Sequence, residues 1–250
     1  MHITDVTRYL DELLRVREVG DYPQAFNGLQ VENSGSISRI GAAVDATEAV
    51  IKEAADGRVD FLIVHHGLFW QGVRPVTGAN YRKTRLLMEA DMAVYSVHLP
   101  LDIHPSLGNN ALLAAAIGLE GGTPFLEACG QPVGLKFDAE INREVLRDHL
   151  ERAVGGAVHL APGGPNLARR IGIVTGGAGA EIAKAAAAGI DTFITGEGPH
   201  WSYTLAEELQ VNLFYAGHYA TETFGVKALA ELLARKLALP WQFIDHPTGL

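Results

Sequence analysis

The sequence predicts an α/β protein built from two similar halves, each with a mostly parallel β-sheet. Short apolar runs typical of buried strands alternate along the chain with segments of helical periodicity. One such stretch occurs twice. The chain has 250 residues, of which 48% are hydrophobic and 20% are charged, so each half has enough apolar side chains for a core of its own.

The repeat aligns residues 39–70 with residues 170–201 without a gap, at an offset of 131 (170 minus 39). Once Gln71–Tyr81 are removed, the match resumes at an offset of 120 and pairs His98-x-x-x-Asp102 with His218-x-x-x-Glu222. The duplication predicts a first repeat over residues 1–127 and a second over residues 128–250. No low-complexity linker separates them, so we expect the halves to pack tightly or to exchange elements.

The first repeat is predicted to run helix, strand, strand, helix, strand, helix, strand, helix. The periodicity and turn residues place these elements at 4–17, 28–31, 40–44, 47–55, 61–64, 82–90, 93–97 and 111–117. The second repeat follows the same alternation. Its helices are predicted at 142–153, 178–188, 202–209 and 223–237. Its strands are predicted at 171–174, 192–195, 213–216 and 241–244. The remainder of 120–168 carries no clear pattern.

Composition excludes several classes of protein. A net charge of −9 argues against general nucleic-acid binding, and Cys129 alone cannot form a disulfide framework. The first residues form an amphipathic helical pattern that differs from a signal peptide, and no apolar run is long enough to span a membrane. We therefore expect a cytoplasmic protein.

Histidines and carboxylates follow the strands at their carboxyl ends, where parallel sheets bind ligands. They are His65, His66, His98, Asp102, His218 and Glu222. Imidazole and carboxylate suit Zn, Fe, Mn, Co or Ni, and no cysteine lies nearby to form a structural zinc site. Four histidines and two acids exceed what one ion with an open position needs. The pattern predicts two divalent ions, whose shared water would have a lowered pKa.

Other residues near these strands have two interpretations each. Glu197 occupies the position of His66 in the second repeat and is either a pocket residue or a carboxylate that caps a turn. His104 and His200 lie near the motifs but fit solvated loops equally well. The glycine-rich Thr175–Gly179 has the look of a phosphate cradle but lacks its full spacing, which favours a plain strand-to-helix turn.

The chain resembles the GTP cyclohydrolase 1 type 2 homologues, also called the NIF-three-like dinuclear metal centre family, in its short bacterial form. The resemblance covers nearly the whole chain and rests on five motifs. They are Asn27-Gly-Leu-Gln-Val31, Ile63-Val-His-His-Gly-Leu-Phe-Trp70, His98-Leu-Pro-Leu-Asp102 with its continuation to Asn110, Phe193-Ile-Thr-Gly-Glu197, and Ala216-Gly-His-Tyr-Ala-Thr-Glu222.

The resemblance implies roles for these residues. His66 and Asp102 would bind one ion and His65 and His218 the other, with Glu222 bridging the two. His98 would stand close by without being a firm ligand, as a general acid/base or as a group that supports a ligand. Together with Glu197, which the repeat places at the position of His66, it is a candidate catalytic residue. The resemblance also implies two intertwined halves and a homohexameric toroid.

The predicted activity is hydrolysis of a small nucleotide-like molecule by a bridging hydroxide, as in a cyclohydrolase or a phosphoesterase. The alternative is a metal-binding regulatory or scaffold protein that carries or senses a transition metal without turnover. The sequence does not choose between these, and a fold shared with enzymes does not by itself establish catalysis.

Overall fold

A computed structural model describes residues 2–70, 72 and 74–250 of the chain. The strands, in chain order, are β1 (Gly28–Val31), β2 (Ile40–Asp45), β3 (Phe61–His66), β4 (Ala93–Ser96), β5 (Thr123–Ala128), β6 (Gln131–Asn142), β7 (His159–Pro162), β8 (Leu167–Ile173), β9 (Thr192–Thr195), β10 (Asn212–Tyr215) and β11 (Trp241–Phe243). The α-helices are α1 (Ile3–Leu13), α2 (Glu48–Asp56), α3 (Gly78–Glu89), α4 (Leu99–Asp102), α5 (Asn109–Ala116), α6 (Arg143–Val154), α7 (Ile182–Ala187), α8 (His200–Glu208) and α9 (His218–Leu237).

The described residues fall into two compact units. Unit 1 comprises Met1–Leu101 and Gly225–His246, and unit 2 comprises Asp102–Phe224 and Pro247–Leu250. Each unit is built on one sheet. These units divide the chain differently from the sequence repeats, because each unit combines segments of both. The boundary between the repeats at 127/128 stays a prediction.

Unit 1 contains a five-stranded sheet with the order β1-β4-β3-β2-β11. All neighbouring pairs are parallel except β1 with β4, which places an antiparallel strand at one edge. The parallel strands β2, β3 and β4 are almost wholly buried, which explains their continuous apolar runs. Helix α2 packs on this sheet through Val50, Ile51 and Ala54.

Unit 2 contains a six-stranded sheet with the order β5-β6-β8-β9-β10-β7. Strands β8, β9 and β10 are parallel in the middle, and the outer pairings are antiparallel. Its core includes Leu146 and Leu150 from α6 together with Ile171 of β8 and Phe214 of β10. The parallel strands number four in unit 1 and three in unit 2, and in each unit their carboxyl ends lie at one edge of the sheet.

The duplication predicted from the sequence is confirmed by strand register. Ile40 of β2 is opposite Phe61 of β3, and Ile171 of β8 is opposite Thr192 of β9, which is the same pair displaced by 131 residues. The predicted α/β class with two similar halves is correct.

Several predicted boundaries need correction. Strand β3 continues through His66, whereas the apolar pattern ends at Val64, because the polar histidines extend the ladder beyond the apolar run. Helix α9 begins at His218 and not at residue 223. The segment 120–168 holds β5, β6 and β7, whose half-exposed faces lack the apolar runs of the buried parallel strands.

One further finding concerns membranes. Among the helices of the described residues, none combines the length and the apolar character needed to cross a bilayer.

Candidate metal centre

His65 and His66 lie at the carboxyl end of β3, the central parallel strand of unit 1. His65 is fully buried and His66 is partly exposed. Their rings lie close together, with centroids 4.9 Å apart. The sequence predicts that neighbouring histidines at a strand end can serve one cleft, and the rings are close enough for that.

Each of these two histidines has its Nδ1 atom fixed by an oxygen acceptor. His65 Nδ1 lies 2.9 Å from the carbonyl oxygen of Val97, and His66 Nδ1 lies 2.9 Å from Oδ1 of Asp45. A carbonyl or carboxylate oxygen can only accept, so each Nδ1 carries the proton. In a neutral imidazole this places the lone pair on Nε2, the arrangement seen in histidines that bind metals.

His98 follows β4 and has the same arrangement. Its Nδ1 lies 2.9 Å from Oδ1 of Asp21, and its backbone N–H donates to Oδ1 of Asn27 at 2.7 Å. Asp21 also accepts a hydrogen bond from Nδ2 of Asn27. Burial acts to raise the pKa of Asp21, but the hydrogen bond and attraction of His98, followed by the bonds from Asn27 and Tyr22, outweigh it and lower that pKa below its usual value.

The three histidines of unit 1 form one cluster. One ring nitrogen of each of His65, His66 and His98 lies within 4.8 Å of those of the other two, and His65 and His98 are buried. We call these three residues the histidine set. Imidazoles oriented in this way are common ligands of transition-metal ions.

His218 and Glu222 lie one turn apart at the start of α9, in unit 2. Their i, i+4 spacing places both side chains on one face of the helix, and His218 Nε2 lies 3.2 Å from Oε2 of Glu222. On the other side of the ring, His218 Nδ1 donates to Oε1 of Glu197 at 2.8 Å. Glu197 thus supports His218 as Asp45 supports His66.

Two carboxylates set the protonation of His218. Burial lowers the pKa of its imidazole, but the hydrogen bond and charge of Glu222, then those of Glu197, raise that pKa to about 9. The charge balance of this cluster therefore favours a cation at the imidazole position. A divalent ion between the same groups would satisfy the same requirement.

Asp102 ends helix α4 and belongs to unit 2 as well. Its Oδ1 accepts a hydrogen bond from Nδ2 of Asn109 at 2.7 Å and a longer one from the hydroxyl of Thr175 at 3.5 Å. Asn110 donates to the backbone carbonyl of Asp102 and accepts from the N–H of Thr175. We call Asp102, His218 and Glu222 the carboxylate set.

The glycine-rich turn after β8 brings the backbone close to the carboxylate set. Gly176 has a φ of +70°, and a Cβ built on it would lie 2.3 Å from Oε1 of Glu222. Its N–H donates to the hydroxyl of Thr221. The glycine at 176 is explained by this close approach to a carboxylate, which supports the turn interpretation over a phosphate cradle.

Both sets have the donor chemistry of a divalent transition-metal site. The histidine set supplies imidazoles whose Nδ1 atoms are fixed by acceptors. In the carboxylate set, His218 lies beside the buried acid Glu222, and the second buried acid, Asp102, contacts the glycine-rich turn through Thr175. Buried carboxylates need compensating positive charge, which an ion provides. The residues present therefore fit divalent ions.

Three supporting residues were absent from the sequence prediction or carried another role there. Asp45 ends a parallel strand beside β3, so its position at the sheet edge was a usable signal. Asp21 lies in a loop without periodicity and gave no signal. Glu197, predicted as a catalytic candidate, contacts His218.

The Nδ1 atom of His104 accepts hydrogen bonds from the backbone N–H groups of Ser106 and Leu107, which makes His104 a turn-capping residue.

Comparison with known proteins identifies the family of the chain. The family model described as Duf34/NIF3 (NGG1p interacting factor 3) matches residues 1–248. The chain belongs to the DUF34/NIF3 family. The resemblance inferred from the motifs is thereby confirmed over nearly the whole sequence.

DUF34/NIF3 relatives match from end to end. A protein of Deinococcus radiodurans named GTP cyclohydrolase 1 type 2 homolog is 39% identical over 249 residues, covering 98% of this chain and 94% of its own length. A protein of the same name from Archaeoglobus fulgidus is 36% identical, with full coverage of both chains. The crystal structure of TTHA1606 from Thermus thermophilus is 40% identical, covers both chains fully and superposes with a TM-score of 0.91.

Proposed function

We propose that this protein is a metal-dependent hydrolase of a small nucleotide-like molecule and that its metal ligands are His65, His66, Asp102, His218 and Glu222. The observation that carries the proposal is the clustering of oriented imidazoles in the histidine set. The carboxylate set adds the acids that a divalent ion prefers. The name shared by the curated relatives agrees with hydrolysis of a nucleotide ring.

Divalent ions would supply Lewis acidity, which polarises the bond to be cleaved and generates a nucleophile from water at neutral pH. We propose two ions, with the ligand assignment that the family resemblance implies. Asp45, Glu197 and the Val97 carbonyl keep the ligating imidazoles in one tautomer and one orientation.

His98 is proposed to transfer the proton. Its imidazole is buried, it lies beside His65 and His66, and Asp21 fixes its orientation through Nδ1. A histidine oriented by a buried carboxylate can accept a proton at Nε2 and stabilise the imidazolium that results. The proton removed from the attacking water is returned to the leaving group through the same nitrogen.

The test measures hydrolysis of a panel of nucleotides and of an activated phosphodiester by protein loaded with each divalent metal in turn. We expect His98→Gln to keep its metal content and to lose turnover by a factor of about 10²–10⁴, the range typical of general acid–base catalysis. The exposed His246 provides the control, since His246→Gln should change neither quantity.

Two results decide against this account. Loss of metal in His98→Gln would make His98 a ligand, and the proton-transfer role would fall. Absence of turnover with every metal and substrate, combined with metal content that follows supply, would favour a protein that carries or senses a metal.

The hexameric toroid implied by the family resemblance is also a proposal. Native mass spectrometry of the full chain tests it, with an expected mass of six copies of the 26.8 kDa subunit. A monomeric or dimeric mass at working concentration would contradict it.

A further inference from the structure

We propose that Tyr22 and Trp70 bind a planar heteroaromatic ring of the substrate beside His98. The inference deepens the proposed function and rests on it, because the ring is taken to belong to the molecule that is hydrolysed. We call these two side chains the aromatic corner. Both belong to unit 1 and neither ligates a metal.

The aromatic corner adjoins the histidine set. The ring of Trp70 has its centroid 4.4 Å from that of His98 and 5.0 Å from that of His66. The ring of Tyr22 lies 5.9 Å from His98. A molecule bound on these rings would therefore have its reactive atoms next to the residues proposed to bind metal and transfer the proton.

Both rings remain open to solvent. Tyr22 is 52% exposed and Trp70 is 36% exposed, although each could bury a large apolar surface. Exposed aromatic rings beside buried polar groups are typical of small-molecule sites, where an apolar surface binds the body of the ligand and a few polar groups fix its orientation.

The angle between the rings selects a planar ligand. The planes of Tyr22 and Trp70 cross at 73°, with centroids 6.2 Å apart, so the two rings form a corner and do not stack on each other. A flat ring stacked on one of them would lie at the same steep angle to the other, within reach of an edge-to-face contact. Offset stacking and edge-to-face contact are the two favourable aromatic geometries, and an aliphatic chain would gain neither.

Hydrogen bonds close to the histidine set also hold the backbone of the corner. The N–H of Tyr22 donates to Oδ1 of Asp21 at 2.7 Å, and Asp21 orients His98. Trp70 follows His66 after one short turn, in which the N–H of Leu68 donates to Oε1 of Gln30. The aromatic corner is thus fixed relative to the histidine set and does not depend on a distant part of the chain.

The experiment measures equilibrium binding of GMP and CMP to the metal-loaded full chain by calorimetry, with ribose 5-phosphate as the probe that has the same phosphate and sugar but no base. We expect both mononucleotides to bind more tightly than ribose 5-phosphate. Trp70→Leu and Tyr22→Leu should each weaken mononucleotide binding roughly tenfold and leave ribose 5-phosphate binding unchanged.

Two matched controls and one conservative variant separate recognition from folding. Trp201 is the counterpart of Trp70 in the second repeat and is 50% exposed, and Tyr81 is 53% exposed. Trp201→Leu and Tyr81→Leu should keep wild-type affinity for GMP. Trp70→Phe should recover most of the affinity that Trp70→Leu loses, because it restores an aromatic face. Thermal unfolding of every variant is recorded in parallel.

Three results would overturn the proposal. The first is mononucleotide binding no tighter than that of ribose 5-phosphate. The second is wild-type GMP affinity in both Trp70→Leu and Trp70→Phe. The third is a changed native mass in the Trp70 variants while GMP binding persists, which would make the corner a subunit contact. Since the readout is binding alone, failure of hydrolysis would sink the proposed function and leave the ring-binding result standing.

Discussion

The imidazoles proposed as metal ligands share one feature: an oxygen acceptor on Nδ1. The acceptor is a backbone carbonyl for His65, Asp45 for His66 and Glu197 for His218. Such partners fix the tautomer and strengthen the ligand, and their removal typically costs a factor of about 10–100 in metal affinity. The chemistry of the candidate centre is thus set by residues beyond the motif histidines themselves.

Asp45→Asn tests this support for His66. We expect metal affinity to fall by about 10–100-fold while the fold is retained, because the neutral amide is a weaker acceptor for the Nδ1 proton. Asp56→Asn is the control. It removes the same charge from the same unit, but Asp56 is an exposed partner of Lys52 on α2. Equal metal affinity in Asp45→Asn and Asp56→Asn would remove the supporting role of Asp45.

Gly176→Ala tests the close approach of the glycine turn to Glu222. The added Cβ would displace the carboxylate, so we expect lower metal occupancy in addition to a backbone penalty of roughly 1–2 kcal/mol for a positive φ. Gly155 is a matched control, since its φ is +69° and open space surrounds its Cβ position. Gly155→Ala should show the stability loss alone. Metal titrations with thermal unfolding separate the two effects, and identical metal binding in both variants would contradict this explanation of Gly176.

At the scale of elements, each unit has an aspartate, at equivalent positions of the two repeats, that fixes the start of a parallel strand pair. Asp60 at the start of β3 accepts hydrogen bonds from the backbone N–H groups of Ser38 and Arg39, ahead of β2. Asp191 before β9 accepts from those of Arg169 and Arg170 in β8. The two repeats therefore share these aspartate-to-backbone hydrogen bonds, which fix strand register, in addition to their apolar strands.

Asp191→Ala should destabilise unit 2 by about 1–3 kcal/mol, because two backbone N–H groups lose a charged acceptor. Asp138→Ala is the control, because Asp138 is exposed on the neighbouring strand β6. Denaturant unfolding measures both. A smaller loss in Asp191→Ala than in Asp138→Ala would show that the aspartate does not hold the strand pair.

The buried parallel strands and the ligand residues at their ends were predictable because a long apolar run and a repeated motif are local signals. The strands β5, β6 and β7 were not, since half-exposed antiparallel strands have no comparable run. Asp21 escaped prediction for another reason. Its role depends on a contact with His98 that is 77 residues distant in sequence (98 minus 21), and a single sequence does not encode such a contact locally.

At the scale of the whole molecule, family membership extends over residues 1–248, so the fold is shared along the full length of the relatives. Shared fold does not establish a shared reaction. The chemistry rests on the histidine set of unit 1 and the carboxylate set of unit 2. The proposal that His65 and His66 of the first set, with the three residues of the second, hold two divalent ions in each chain is the claim on which the remaining functional argument depends.

Metal content per chain, measured by elemental mass spectrometry on protein purified without an affinity tag, tests that claim most directly. We predict two ions per chain, falling sharply in Glu222→Gln and unchanged in Glu231→Gln, an exposed glutamate of the same helix α9. Protein that contains no metal and takes up none on titration would contradict the account. So would equal metal content in the wild type and Glu222→Gln.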